Sequence, residues 1–393
     1  MRRLTMAQET LVSDLKQRSI DAMFDAHFPE NGSFVRRTSN GRDYVYYVGY
    51  VKATDGGAAG RQYSKYVGPA DDPAIAAQIE NFGTIKASHK ERREIVRALR
   101  GAGLSTPPRF VGEVVEALWK SGVFRLRGVL VGTAAFQTYE ASMGVRFPTA
   151  PSMTGDVDIA QFRSISVAVD DTTESLLDGL RAIDPSFGPV PHQIHRTRVV
   201  AFRNAKDFRV EFLSPHQGSV EEAREPFRMP SLDGAAAQPL RYLDFLIHKP
   251  ERSVVLYGGG IPVLVPKPDR YCVHKMIISQ RRAPQSADKA RKDVQQASLL
   301  LEAAEETKVL ADFGHAWLEA WAIGHKTKRH LVAAERLFAP AVASILAKSR
   351  IEAVNELGGD GDALAREVME VGTARRVGQP RPARRTAPER VGR

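Results

Sequence analysis

The stretch GDVDIA, residues 155–160, has the pattern of a short strand that carries two acids, Asp156 and Asp158. Side chains at positions i and i+2 of a strand point to the same face, so these two carboxylates lie side by side and repel each other. Water, a cation or a basic partner must relieve that repulsion. An isolated Asp-x-Asp is in most proteins a solvated strand end, so its interpretation depends on what the rest of the chain supplies.

Composition narrows the class of protein before any other motif is considered. The chain has 393 residues, of which 43% are hydrophobic and 26% charged, as in ordinary soluble proteins of two or three domains. No run approaches the roughly 18 apolar residues of a membrane span, and the N-terminus lacks the apolar core of a signal peptide. The single cysteine, Cys272, excludes an internal disulfide framework, and the histidines lack metal-binding spacing. We expect a cytoplasmic protein without a membrane partner.

Positive charge is concentrated at the C-terminal end. Residues 371–393 carry seven arginines and one glutamate, a net charge of +6 out of +10 for the whole chain. This end is rich in proline, glycine and arginine and has no apolar periodicity, which predicts a disordered Arg-rich tail over 361–393. Such tails bind nucleic acid through phosphate contacts, and a solubilising extension without a defined partner is an equal alternative.

The N-terminal region, residues 1–121, predicts helices around a small sheet. Apolar spacing predicts a helix over 7–28, turn signals divide 31–70 into three antiparallel strands, and helices follow between 71 and 120. Tyrosines on the strands alternate with basic residues; they are Tyr44, Tyr46, Tyr50, Tyr63 and Tyr66, with Arg36, Arg37, Arg42, Lys52, Arg61 and Lys65. Such a sheet binds nucleic acid by stacking and phosphate contact, or its tyrosines simply pack on flanking helices.

Strands and helices alternate between residues 122 and 265. The predicted strands are 124–133, 156–162, a hairpin formed by 197–204 and 208–214, and a last hairpin over 254–266. The run AAFQTYEASMG, 134–144, predicts a helix, whereas SISVAVD, 164–170, predicts a short strand or a loop that leads to the next helix. Beyond residue 266 the pattern is helical to about residue 358.

A turn of small residues precedes the acidic pair, and a lone acid follows it. The run VLVGTAAF predicts a strand that ends at Gly132 and Thr133 and leads directly into a helix, whose free N–H groups suit a phosphate. Further along, Glu211 is the only acid in FRVEFLS, residues 208–214. Alternation places Arg209 on the same face as Glu211, so an ordinary surface ion pair is an alternative role for Glu211.

This order of motifs resembles the DNA polymerase β-like nucleotidyltransferase superfamily. The resemblance implies two Mg²⁺ ions held by Asp156, Asp158 and Glu211, with Glu211 near the acceptor hydroxyl, and an NTP triphosphate at Gly132 and Thr133. Hard divalent cations need oxygen ligands and relieve the repulsion between carboxylates. Thr133 stands where the family usually has Gly or Ser, and the 22 residues between Thr133 and Asp156 exceed the family's usual spacing, which puts the position of the metal pair in question.

The downstream run is similar to that of the bacterial abortive-infection and type IV toxin nucleotidyltransferases. Those proteins carry a helical lysine and a later Lys-Asp pair, which implies matching roles for Lys275, Lys292 and Asp293. In the predicted helix, Lys275, Ser279 and Arg282 are spaced i, i+4 and i+7 and form one polar face. We predict that Lys275, Arg282 and Asp293 take part in nucleotide binding, because two cations on one face suit a triphosphate. An ordinary amphipathic helix is the alternative.

These patterns predict an α+β protein. A small N-terminal helix-plus-antiparallel-sheet domain precedes a mixed-sheet catalytic domain over 122–265 and a helical C-terminal domain over 266–360. The predicted reaction is Mg²⁺-dependent transfer of a nucleoside monophosphate from an NTP to an acceptor hydroxyl on an RNA 3′ end such as tRNA, a protein or a small molecule. The alternative is a nucleic-acid-binding protein with a catalytically inactive nucleotidyltransferase fold. A D-x-D glycosyltransferase is a third reading, although it requires neither Gly132-Thr133 nor Glu211.

Overall fold

The fold is that of a computed structural model, which describes residues 1–21, 32–39, 42–51, 61–71, 73–148, 155–168, 173–216 and 225–373. The chain divides into two compact units, Met1–Tyr271 and Cys272–Arg393. Helices and mixed sheets together confirm the α+β class. Among the described residues, no helix combines the length and the apolar character that a membrane crossing requires.

The first part of the N-terminal unit contains helices and a three-stranded sheet. Its elements are β1 (Arg2–Arg3), α1 (Met6–Asp21), β2 (Ser33–Ser39), β3 (Arg42–Val51), β4 (Arg61–Pro69), α2 (Pro73–Gly101) and α3 (Arg109–Lys120). Strands β2, β3 and β4 pair in that order and are antiparallel, as predicted. The helix predicted over 7–28 is present to Asp21, and residues 22–28 lie outside the described ones.

The rest of this unit alternates short strands and helices. They are β5 (Val129–Val131), α4 (Gly132–Phe136), α5 (Tyr139–Met143), β6 (Val145–Arg146), β7 (Asp156–Ala160), α6 (Arg163–Ala168), α7 (Leu176–Arg181), β8 (Gly188–Pro191), β9 (Val199–Arg203), β10 (Arg209–Pro215), β11 (Phe227–Arg228), β12 (Ala236–Leu240), α8 (Leu243–Leu246), β13 (Glu251–Val255) and β14 (Ile261–Val265).

A seven-stranded mixed sheet is the centre of this unit. Its main path is β11-β12-β10-β7-β5, and the hairpin β8–β9 joins it through β10. Strand β10 is parallel to β7 and β12, whereas β5, β9 and β11 are antiparallel to their neighbours. The predicted hairpins β9–β10 and β13–β14 are present, and β1 pairs with β6 outside the main sheet.

Three predicted elements differ from the observed ones. The strand predicted over 124–133 is confined to Val129–Val131, because Arg127 adopts a left-handed φ of 67° and ends a series of turns. The single helix predicted over 134–144 is divided into α4 and α5. The segment SISVAVD contains part of helix α6 instead of a strand, and its residues 169–170 lie outside the described ones. Buried Ser166 of this helix pairs with the Ser231 hydroxyl at 2.8 Å, a tertiary contact that local patterning does not reveal.

The second unit is helical. Helix α9 (Pro268–Ser279) contains the boundary between the units, and α10 (Ala287–Thr307), α11 (Leu310–Ala322), α12 (His325–Glu335), α13 (Pro340–Glu356) and α14 (Gly361–Thr373) follow. Helix α14 corrects the predicted disordered tail over 361–373, where Leu364, Val368 and Val371 recur at helical spacing and are half-buried. Residues 374–393 lie outside the described ones.

An apolar core joins the N-terminal helices to the hairpin β13–β14. Its buried members are Leu4, Val12, Leu15, Ile95, Val96, Leu99, Leu104, Val254 and Leu256. Gly260, at the hairpin turn, has a φ of 85°, and a Cβ there would lie 3.0 Å from Leu15 Cδ1. Helix α1 therefore packs closely on the turn that joins β13 to β14.

Glu251, the first residue of β13, is a half-buried acid beside this core, and its Oε1 atom is shielded from solvent. Burial raises the pKa of Glu251 from 4.5 to about 7, the charge of Lys16 opposes the rise, and the charge of Asp269 adds to it. Burial also lowers the pKa of Lys16. Among the described residues, Glu251 Oε1 has no hydrogen-bond partner. The folded chain therefore favours the protonated form of Glu251.

The raised pKa of Glu251 predicts a stability that falls with pH. A folded-state pKa above the unfolded value gives a contribution that is fully present below pH 4.5 and is lost as pH rises through about 7. Glu251→Gln should therefore be more stable than the wild type at pH 8, by about 2–3 kcal/mol, and nearly equal to it at low pH. Urea unfolding at pH 5 and pH 8 measures this difference. The control is Glu94→Gln, at an exposed position of α2, and parallel pH profiles for the two variants would contradict the prediction.

Candidate functional site

Strands β7 and β10, which carry the predicted acids, are parallel neighbours. Their register pairs Glu211 with Asp158 and Arg209 with Asp156. The intervening residues Val157, Ile159, Val210 and Phe212 are fully buried, so the paired polar residues share the opposite, half-buried face. The structure therefore places Asp156, Asp158 and Glu211 on one face of two adjacent strands.

Arg209 is also present on this acidic face. Its Nη1 lies 3.9 Å from Glu211 Oε1, and its Nη2 lies 3.4 Å from Asp207 Oδ1. The Arg–Glu pair that was considered as an alternative role for Glu211 therefore exists, but it is long and solvent-exposed, and such pairs contribute little to stability. In the described part of the chain, no three acidic, His or Cys side chains form a group arranged to hold a metal ion.

The small-residue turn lies against the acidic pair. Val131, the last residue of β5, pairs with Asp158 in antiparallel register. Gly132 then begins α4 with a φ of 68°, and a Cβ at this position would lie 2.6 Å from Asp158 Oδ2. Glycine is favoured here because it adopts the left-handed conformation without strain, and because a Cβ would displace the Asp158 carboxylate. The structure thus brings Gly132, and the buried Thr133 after it, beside Asp158.

Tyr271 supports this turn and was not identified from the sequence. Its hydroxyl donates a hydrogen bond of 2.8 Å to the Gly132 carbonyl oxygen. Its ring centroid lies 5.1 Å from that of Tyr139 and 5.9 Å from that of Phe136, within a buried aromatic cluster. The two partners of the hydrogen bond are 139 positions apart in the chain, so no local pattern connects them.

The predicted phosphate-binding cations belong to the second unit, where they share one carboxylate. Lys275 Nζ lies 2.6 Å from Asp293 Oδ1, and Arg282 Nε lies 2.9 Å from Asp293 Oδ2. The Asp293 side chain is only 3% exposed, compared with 11% for Lys275 and 33% for Arg282. Helix α9 ends at Ser279, so Arg282 does not continue the predicted helical face and reaches Asp293 from the following segment.

This cluster keeps a net positive charge. Two cations surround one carboxylate, and the neighbouring His274 adds no charge near pH 7, because burial and the positive charge of Lys275 lower its pKa to about 3. Ser279 is buried and donates to the Met276 carbonyl oxygen, as an ordinary helical serine does. The structure therefore brings Lys275, Arg282 and Asp293 together, whereas Lys292 is half-buried on α10.

The three-stranded sheet separates its tyrosines by face. Tyr47 is fully buried and packs edge-on against Phe34 at 5.2 Å, whereas Tyr44 and Tyr46 are half-buried on the opposite face of β3. The Arg37 guanidinium lies 5.1 Å from the centroid of the Tyr46 ring. Of the other predicted residues, Arg36 is exposed on β2, Arg42 and Tyr50 belong to β3, Arg61, Tyr63, Lys65 and Tyr66 belong to β4, and Lys52 lies outside the described residues.

The contact between Gly132 and Asp158 predicts a specific cost for any side chain at position 132. Gly132→Ala should lower the free energy of unfolding by about 2 kcal/mol, because it combines a left-handed alanine with overpacking against Asp158. Gly234→Ala is the matched control, since Gly234 has the same φ of 68° and a Cβ there meets nothing within 4 Å. Urea unfolding compares the two variants, and equal stabilities would show that Asp158 moves away at no cost.

Comparison with known proteins identifies the family of this chain. A nucleotidyltransferase family model matches residues 109–322, which is more than half of the chain. The match includes Gly132, Thr133, Asp156, Asp158 and Glu211 as well as the cluster around Asp293. No curated protein and no solved structure matches the chain. The chain therefore belongs to this nucleotidyltransferase family and is an enzyme of the nucleotidyltransferase type.

Proposed function

We propose that the enzyme transfers a nucleoside monophosphate from an NTP to an acceptor hydroxyl, with Asp156, Asp158 and Glu211 as its catalytic carboxylates. The observation that carries this proposal is the register of the central strands. Asp158 stands between Val131 on one side and Glu211 on the other, so the acids and the Gly132 turn meet at one point of the sheet.

The chemistry of the donor set suits Mg²⁺, although among the described residues the three carboxylates are not gathered into a metal-binding group. Three carboxylates on one sheet face supply the oxygen ligands that this hard cation prefers, and the cation relieves their mutual repulsion. Asp156, Asp158 and Glu211 would hold two ions, which supply charge stabilisation to phosphoryl oxygens and activate the acceptor hydroxyl. The pair between Arg209 and Glu211 is 3.9 Å long and exposed, so it does not commit Glu211 to a structural role.

In the first unit, Gly132 and Thr133 support binding of the triphosphate. Gly132 and Thr133 offer backbone N–H groups directly beside Asp158, and the glycine lets a phosphate approach the backbone closely. We propose separately that Lys275 and Arg282, in the second unit, contact a phosphate, because Asp293 neutralises only one of their two charges. Asp293 then acts by holding both cations in place.

We further propose that the acceptor hydroxyl belongs to a nucleic acid such as tRNA. The half-buried face of β3 combines Tyr44 and Tyr46 with the cation of Arg37, and stacking beside positive charge is how proteins hold single-stranded nucleic acid. The arginines of residues 371–393 would add phosphate contacts. Acceptors on a protein or a small molecule are the other outcomes of the assay described next.

The transfer reaction is tested by label transfer. The full chain is incubated with Mg²⁺, each labelled NTP and total tRNA, and label is followed in the RNA, protein and small-molecule fractions. Asp156→Asn and Asp158→Asn should each lower transfer by about a hundredfold or more, because charge stabilisation at the reacting phosphate is lost. Their free energy of unfolding should be unchanged or slightly higher, because repulsion falls. The matched control, Asp244→Asn at an exposed position, should keep full activity.

Two results of this assay would contradict the proposal. Full activity in Asp158→Asn would remove the acidic pair from the catalytic centre. Binding of NTP and tRNA by the wild type without transfer of any label would favour a nucleic-acid-binding protein that retains the fold without turnover.

The acceptor assignment predicts a separate defect in RNA binding. Arg37→Gln should weaken tRNA binding several-fold and reduce the slope of log affinity against log salt by about one, because one phosphate contact is lost. Affinity for NTP should not change. Arg100→Gln, at an exposed position of α2, is the control. Fluorescence anisotropy with labelled tRNA at several salt concentrations measures both effects, and equal slopes for the two variants would make the sheet purely structural.

A further inference from the structure

A concave site separate from the acidic face lies in the first unit, at the end of β5 opposite Gly132. It is a cavity of about 370 Å³, enclosed by α1, the end of α3, the turns before β5 and the hairpin β13–β14. Arg127 lines it and precedes β5, whereas Gly132 follows β5 at the other end. The cavity is therefore distinct from the acidic face of β7 and β10.

Four of the twelve residues that line this cavity are cationic, and six are apolar. Lys16, Arg125, Arg127 and Arg252 line it, and its lining contains no acid. Among the described residues, neither Arg127 nor Arg252 takes part in an ion pair, and both are exposed. The nearest acid in sequence is Glu251, whose pKa is raised by burial, so it supplies less than a full negative charge near pH 7. Several positive charges around one cavity attract an anion.

Aromatic and polar groups complete the cavity. Trp119 and Phe124 line it beside the cations. Ser253 also lines it, is 2% exposed, and its hydroxyl has no hydrogen-bond partner among the described residues. The cavity therefore combines aromatic rings with positive charge, whereas the Ser253 hydroxyl is shielded from solvent.

The backbone conformation at Arg127 fixes the position of this side chain. Arg127 has a φ of 67°, a conformation that costs a non-glycine residue about 1–2 kcal/mol. The turn is held by hydrogen bonds from the Arg127 N–H to the Phe124 carbonyl and from the Gly128 N–H to the Val123 carbonyl. A left-handed residue is common at such a C-terminal cap, and here the cap places an arginine at the rim of the cavity.

We propose that this cavity binds a nucleotide, with the phosphate at Arg127 and Arg252 and the base against Trp119. Guanidinium groups match phosphate geometry, and indole rings stack on bases. The volume lies in the range of small-molecule sites. The site does not depend on the carboxylates of the proposed transfer reaction, so either assignment can fail without the other.

The test is nucleotide binding by the full chain without divalent metal. AMP in the presence of EDTA should bind and quench tryptophan fluorescence, and Trp119→Phe should remove the quenching. Arg127→Gln and Arg252→Gln should each weaken AMP binding, measured by calorimetry, by about tenfold. Arg228→Gln, an exposed arginine on β11, should bind AMP as the wild type does. Arg252 lies in a regular strand, so its variant remains informative if Arg127→Gln fails to fold.

Two further ligands, inorganic phosphate and a 5′-phosphorylated oligoribonucleotide, test which class of ligand the cavity binds. Inorganic phosphate that binds as tightly as AMP would overturn the nucleotide assignment, as would equal AMP affinity in the wild type and both arginine variants. A 5′-phosphorylated oligoribonucleotide that binds more tightly than AMP, and is weakened by the same two variants, would identify the nucleotide as the end of an RNA chain. Equal or weaker binding of that oligonucleotide would identify a free nucleotide.

Discussion

The position of Asp158 in the sheet is the constraint on which the first unit depends. This residue pairs with Val131 of β5 and with Glu211 of β10, so one register fixes three strands. A slip of one residue would turn the acids of β7 into the core and expose Val157 and Ile159. Burial of these apolar side chains therefore fixes the register that gathers the acids. The hydrophobic core and the acidic face are two consequences of the same pairing.

The two units differ in how far their carboxylates are neutralised by cations. In the first, Asp156, Asp158 and Glu211 accumulate on a half-buried face, where the exposed Arg209 is a weak counterion. In the second, Asp293 is buried and bonded to two cations, Lys275 and Arg282, so its own charge is fully neutralised. Clustered charges of one sign in a site accessible to solvent favour binding of the opposite charge, whereas a buried carboxylate between two cations fixes the positions of both.

Local patterns in the sequence predicted much of this structure. Alternation identified β7 and β10, turn residues identified the three-stranded sheet and both hairpins, and small residues before a helix identified the turn at Gly132. These features depend on near neighbours in the chain. The left-handed turn at Arg127 depends on hydrogen bonds to residues 123 and 124 and shortened the expected strand. The bond from Tyr271 to Gly132 depends on distant packing, which one sequence does not display.

Glu251, the half-buried acid at the start of β13, also couples unfolding to the release of a proton. At pH 6 the folded chain holds Glu251 mainly protonated, because its pKa is about 7, whereas the unfolded chain has it ionised. Unfolding near this pH therefore releases a proton to the solvent. The heat that a calorimeter records for unfolding will then include the ionisation heat of the buffer, and it will differ between buffers of the same pH. The packing of α1 against the hairpin thus lets the native chain hold a proton at Glu251 that the unfolded chain does not bind.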